Sequence, residues 1–175
     1  MISRLDSKDF DKVFRIMEAS FPKDEYRTYQ EQKALFDNPE YEVYIVQNSD
    51  NEIMAFMAVW DFESFAFIEH FAVDPIYRNN GIGGDFLREL AHSQKKMICL
   101  EVELPNNGIA VKRIGFYERN GFVLNEYPYM QPSISAGRNP VPLLIMTYGR
   151  YIDNTEFDRI KEVLHTQVYG VKVRK

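Results

Sequence analysis

Three glycines, Gly81, Gly83 and Gly84, follow Arg78 closely and separate the apolar run 67–73 from a run with helical spacing that begins at Ile82. Glycine allows a ligand close to the backbone, and the first turn of a helix leaves N–H groups unpaired at the positive end of its dipole. Together these make a site for phosphate or pyrophosphate, to which Arg78 adds charge. A second set of residues is acidic. Glu69 lies in the run 67–73, and Glu101 and Glu103 share a face of the run 97–104. Central strands covered on both sides are normally apolar, so charges there call for an explanation. One is general base catalysis; the other is a salt-bridged or exposed carboxylate at a strand end.

The glycine pattern separates competing phosphate sites. A Walker loop needs Gly-Lys-Ser/Thr, whereas Asp85 follows Gly83-Gly84. A dinucleotide fingerprint needs a third glycine where Phe86 stands, near the start of a doubly wound unit. Arg-x-x-Gly-x-Gly matches Arg78, Gly81 and Gly83, and a plain strand-to-helix turn stays open beside it.

The elements that must position these groups follow from periodicity. Residues 2–5 suit a short strand, and Asp6 or Ser7 then caps a helix carrying Phe10, Val13, Phe14 and Met17. Thr28 with Glu31 has the form of a capping box for a second short helix ending before Asn38-Pro39. Residues 41–47 and 53–62 read as a hairpin and 65–73 as a further strand. The glycine loop leads into a helix with Phe86, Leu87, Leu90 and Ala91 on one side, and 97–104 returns to strand. A helix over 109–119, strands over 122–130 and 141–148, and a closing helix over 155–167 complete the chain. The expected fold is a single mixed α/β domain over residues 1–175.

With 175 residues, 45% hydrophobic and 27% charged, the chain is long enough to bury a core and has ordinary globular composition. A formal charge of -5, with basic residues gathered only in the short tail Lys172, Arg174 and Lys175, argues against nucleic-acid binding. No apolar stretch suits a signal peptide or a membrane span, so a cytoplasmic location is expected. Cys99 lies in an apolar run and suits a buried small hydrophobe. The histidines His70, His92 and His165 show no ligand spacing, so no metal is expected.

The stretch 67–90, with Val73-Asp74-Pro75 followed by Arg78-x-x-Gly81-x-Gly83, resembles the acetyl-CoA motif of GNAT N-acetyltransferases. Downstream, Gly115-Phe116-Tyr117-Glu118-Arg119-Asn120-Gly121-Phe122 resembles the second motif of that family. The resemblance covers roughly 41–130 and implies the GNAT fold, a central mixed twisted sheet of about seven strands flanked by helices. It implies acetyl-CoA as acyl donor, with the pantetheine arm paired to the backbone of Phe71, Ala72 and Val73. It also implies pyrophosphate held by backbone groups of Arg78, Asn79, Asn80, Gly81, Ile82, Gly83 and Gly84. Tyr117 matches the tyrosine that protonates the departing thiolate in relatives, although its place between Phe116 and Phe122 also suits a core aromatic. Leu100-Glu101-Val102 resembles the segment carrying the base in ribosomal-protein alanine acetyltransferases, and Glu69 lies on the strand that carries it in histone acetyltransferases, two positions along from that base. Relatives often place an asparagine seven residues before the tyrosine. Ala110 stands there in this chain, and Asn106 and Asn107 come one turn earlier, with Asn107 the candidate for cofactor contact.

The acceptor implied is an amine. Residues 21–25 loosely resemble a segment near the acceptor site of arylalkylamine acetyltransferases. Glu25, Tyr26 and Tyr29, with Trp60 and Tyr127 or Tyr129, are candidates for a pocket combining a carboxylate and aromatic faces. A small amine, aminoglycoside, polyamine or peptide N-terminus all remain open. A non-catalytic acyl-CoA-binding module is the competing function, and a homodimer is compatible with either.

Overall fold

The computed structural model describes residues 1–172, so Arg174 and Lys175 of the basic tail lie outside the described residues. The chain forms two compact units, Met1–Leu100 and Glu101–Lys175.

The first unit opens with strand β1 (Ile2–Arg4). A single turn at Ser7–Asp9, capped by the Asp6 side chain, leads into helix α1 (Phe10–Ser20). Phe10, Val13, Ile16 and Met17 are buried at the spacing of one helical face. Thr28 and Glu31 make the expected reciprocal capping box for α2 (Tyr29–Ala34). Strands β2 (Tyr41–Gln47), β3 (Ile53–Asp61) and β4 (Phe65–Val73) follow as an antiparallel meander. Helix α3 (Ile82–Ser93) then carries the chain to β5 (Met97–Glu103), which runs parallel to β4. A parallel neighbour requires such a crossover. The strand order here is β1-β2-β3-β4-β5.

Beyond Leu100 the second unit holds the end of β5, helix α4 (Gly108–Arg119), the antiparallel strands β6 (Phe122–Gln131) and β7 (Val141–Tyr148), and helix α5 (Asn154–Val163). A capping box of Asp153 and Glu156 starts α5. Seven strands of mixed direction flanked by helices constitute the mixed α/β class expected.

Two local features depart from simple periodicity. The β3–β4 register breaks between Ala58 and Val59, which pair with His70 and Ile68, so Glu69 is the extra residue of a bulge. The simple two-residue alternation of a strand is therefore interrupted at Glu69. The closing helix does not run on regularly to residue 167, because a π turn occupies Leu164–Val168.

The turn between α4 and β6 places Gly121 at φ +91, where an added Cβ would lie 2.9 Å from the Tyr148 ring. Gly121→Ala should therefore lower stability by about 1–2 kcal/mol from backbone strain, with ring displacement in addition. A urea unfolding midpoint that falls at constant m-value is the expected result; an unchanged midpoint would show that the turn relaxes freely.

Candidate active site

The glycine loop sits between β4 and α3. Asp74 caps a single turn at Pro75–Tyr77 by accepting from the Ile76 N–H at 3.0 Å. Asn79 and Gly81 both have positive φ, at +66 and +77, so the chain turns sharply into α3. Gly81 is the residue preceding the helix and has no side chain to cap it. The N–H groups of Ile82, Gly83 and Gly84 thus begin the helix without intrahelical partners. The Arg78 side chain braces the loop: Nε donates to the Val73 carbonyl at 3.1 Å and Nη2 to Ser20 Oγ at 3.4 Å. Asn80 donates to the Tyr77 carbonyl at 3.3 Å, and the Tyr77 hydroxyl donates to Glu52 at 2.6 Å. A glycine-led helix start on a rigid frame suits a pyrophosphate.

β4 leads into this loop. It pairs with β3 from Ala66 to Val73 but with β5 only from Phe65 to Ile68. Phe71, Ala72 and Val73 lie beyond the β5 register.

The bulge brings Glu69 into a buried polar cluster of the first unit. Arg27 Nη1 lies 2.8 Å from Glu69 Oε1, with side chains only 6% and 2% exposed. Trp60 Nε1 donates to Glu69 Oε2 at 3.2 Å, and His70 Nδ1 lies 3.6 Å from the same oxygen. Burial alone would raise the Glu69 pKa, but the Arg27 charge and the His70 contact outweigh it and hold the group at about 2. Arg27 is itself placed by Gln32, whose amide donates to the Tyr41 hydroxyl at 2.9 Å. His70 Nε2 lies 2.7 Å from the Glu25 carbonyl; since a carbonyl only accepts, that nitrogen carries the proton. Consecutive residues of β4 therefore grip the segment containing Glu25, Tyr26 and Arg27.

The other acceptor candidates are spread over several packing roles. Tyr26 is buried against Phe14. Tyr29 packs on Phe10 and Phe14 and donates its hydroxyl to Asp11, tying α2 to α1. Trp60 is buried, edge-on to Tyr41 and stacked on Phe62. In the second unit Tyr127 stacks on Phe157 and donates to the Ile152 carbonyl, while Tyr129 is buried beside Phe157 and His165.

Glu101 and Glu103 of β5 have different surroundings. Glu103 is paired with Arg113 of α4 at 2.9 Å. Glu101 accepts a 2.5 Å hydrogen bond from the Tyr169 hydroxyl. Tyr117 is 8% exposed, edge-on to Phe116 and Phe122, and burial pushes its hydroxyl up to about 12 against an opposing effect of Arg113. It therefore holds its proton at neutral pH. Asn107 caps α4, its Oδ1 accepting from the Ala110 N–H at 2.9 Å. The displaced asparagine thus starts the helix that carries Tyr117.

The acetyltransferase (GNAT) domain model matches residues 39–124. A solved protein of the GNAT family from Bacteroides thetaiotaomicron is 34% identical to this chain, covering 98% of it and 99% of the other, with a TM-score of 0.87. The chain belongs to the GNAT family of acetyltransferases. More distant GNAT-like structures share the fold. The ribosomal-protein-S18-alanine N-acetyltransferase of Escherichia coli is 21% identical over 88% of this chain and 97% of its own, with a TM-score of 0.60. An aminoglycoside 6'-N-acetyltransferase complexed with coenzyme A is 16% identical over 88% and 99%, with a TM-score of 0.61. No curated protein sequence matches the chain. No helix among the described residues is long and apolar enough to cross a membrane, and no group of three metal-ligating side chains is gathered among them.

Arg27 and His70 were not singled out by spacing, because their roles come from a bulge that pattern alone does not show. Tyr169 likewise carries no local signal.

The buried pair yields a stability prediction. Glu69→Gln strands the Arg27 charge and should cost about 3–5 kcal/mol, whereas replacing both by leucine should cost much less. Because the folded Glu69 pKa lies below its unfolded value, its contribution is present above about pH 4.5 and is lost as pH falls towards 2. Denaturant melts across that window should show this loss in the parent and not in the double variant; equal slopes would remove the pair from the stability account.

Proposed function

We propose that this GNAT protein transfers the acetyl group of acetyl-CoA to a primary amine by direct attack, with Tyr117 as general acid and Glu101 as general base. The observation that carries the donor assignment is the uncapped start of α3 behind Gly81, where successive N–H groups stand ready for an anion. A cap by a serine or aspartate side chain would already occupy those donors. The greater reach of the β3–β4 register over the β4–β5 register supports a pantetheine arm adding alongside Ala72 and Val73, as an extra strand does.

Acetyl-CoA supplies the acyl group as a thioester and leaves as a thiol. The chain must remove a proton from the incoming ammonium and return one to sulfur. A carboxylate pinned near pKa 2 by Arg27 is a poor proton acceptor, so Glu69 acts in the frame of the first unit. Glu103 is engaged with Arg113. Glu101, on the segment that resembles the base-bearing one of relatives, is the base that β5 supports best. Tyr117, fully protonated at neutral pH, has a proton to give, and a thiolate has an ordinary pKa of about 8.5. The transfer is uphill from a resting phenol, so its help lies in the transition state, where sulfur carries developing charge. Glu25 and Tyr26, held by the His70 bond and the Phe14 contact, are the acceptor-side candidates for the amine.

Calorimetric titration of acetyl-CoA into the wild type and a Gly83→Trp variant should show saturable binding only in the first. With an amine acceptor identified by screening, Tyr117→Phe and Glu101→Gln should each lower kcat by about 10²-fold or more while acetyl-CoA still binds. Because Tyr117 stays protonated until about pH 12, it should add no alkaline limb to kcat below pH 11. Failure of the folded wild type to bind acetyl-CoA would overturn the proposal. Binding without transfer to any amine would establish the non-catalytic acyl-CoA-binding module instead.

A further inference from the structure

The C-terminal helix reaches the candidate base. Tyr169 lies 68 positions after Glu101, and its hydroxyl donates to Glu101 Oε1 at 2.5 Å. A hydrogen bond to an ionised carboxylate is among the stronger and more directional contacts a tyrosine makes. It uses the hydroxyl of a half-buried residue at the far end of the chain, where surface tyrosines ordinarily turn to water.

How Tyr169 gets there is the second observation. Phe157, Ile160 and Leu164 form the buried stripe of the helix at spacings of three and four. From Leu164 the ladder changes: the Tyr169 N–H bonds to the Leu164 carbonyl at 3.0 Å, five residues back. The π turn Leu164–Val168 therefore inserts one residue, and everything after it is rotated by about 100° relative to a continued α-helix. Gly170, at φ +66, ends the helix at once, and the Val171 N–H closes onto the His165 carbonyl at 2.8 Å. The insertion thus affects essentially one outward choice, namely which side chain faces Glu101. A π turn has poorer hydrogen-bond geometry than the α-helix it replaces and recurs where function requires a side chain to be re-aimed.

We infer that Tyr169 is a positioning residue for the general base: its hydroxyl fixes Glu101 Oε1, and the π turn at the end of α5 brings it there. Holding one carboxylate oxygen fixes the direction of the other, which sets the geometry for proton removal from the amine. The inference rests on the reading of Glu101 as base.

A double-mutant cycle tests it. Tyr169→Phe keeps the ring and removes only the donor. It should lower kcat about 10- to 100-fold, the range of hydrogen bonds to charged groups, with an unchanged acetyl-CoA dissociation constant. In a Glu101→Gln background the same substitution should have no further effect on kcat, because the group it positions is gone. Equal fold-losses in the two backgrounds, or full turnover in Tyr169→Phe, would overturn the inference while leaving the base assignment in place. Full turnover in Glu101→Gln alone would remove the base assignment and the inference together.

Discussion

β4 is hydrogen-bonded to β3 from Ala66 to Val73 and to β5 over only its first four residues, and much of the first unit depends on that inequality. Backbone donors and acceptors in a sheet require partners, and a strand that outruns its neighbour presents polar edge groups at a defined place. The same strand ends in a loop where Asn79 and Gly81 take positive φ and deliver the chain into α3 with its first N–H groups uncapped. An extended ligand with an anionic group at one end matches both features in sequence. The frame is stiff where it must be. Arg78 ties the loop to Val73 and Ser20, and Tyr77 ties it to Glu52 near the β2–β3 turn.

Three strand carboxylates look alike in one dimension and have different surroundings in three. Glu69, thrown out of register by a bulge, is buried against Arg27 and held ionised. Its neighbour His70 holds the Glu25 carbonyl, so the bulge gives consecutive residues a grip on the same segment. Buried charges survive only in company, and the Arg27–Gln32–Tyr41 chain supplies it. Glu103 is paired with a helix arginine, and Glu101 meets a tyrosine hydroxyl. Environment thus gives three carboxylates of β4 and β5 three different surroundings.

The second unit repeats the theme with aromatic groups. Tyr117 is packed edge-on between Phe116 and Phe122 on the helix that Asn107 caps. Burial there keeps the phenol protonated at neutral pH. Tyr127 and Tyr129 are taken up in seating α5, and that helix in turn presents Tyr169.

The sequence alone determined the element order, the Thr28–Glu31 capping box, the glycine loop and the family, because those depend on near neighbours. Side-chain period, turn chemistry and motif spacing are local properties that a linear reading captures. Asn107 shows the limit: its spacing marked it as displaced, and only the helix it caps explains where it went. The tertiary structure decided everything that rests on distant residues. A bulge at Glu69 and a π turn before Tyr169 each insert one residue into a regular ladder, and neither leaves a local signature. A single inserted residue redirects a side chain in a strand or by about 100° in a helix, so partners as remote as Arg27 to Glu69 or Tyr169 to Glu101 were settled by the folded ladders.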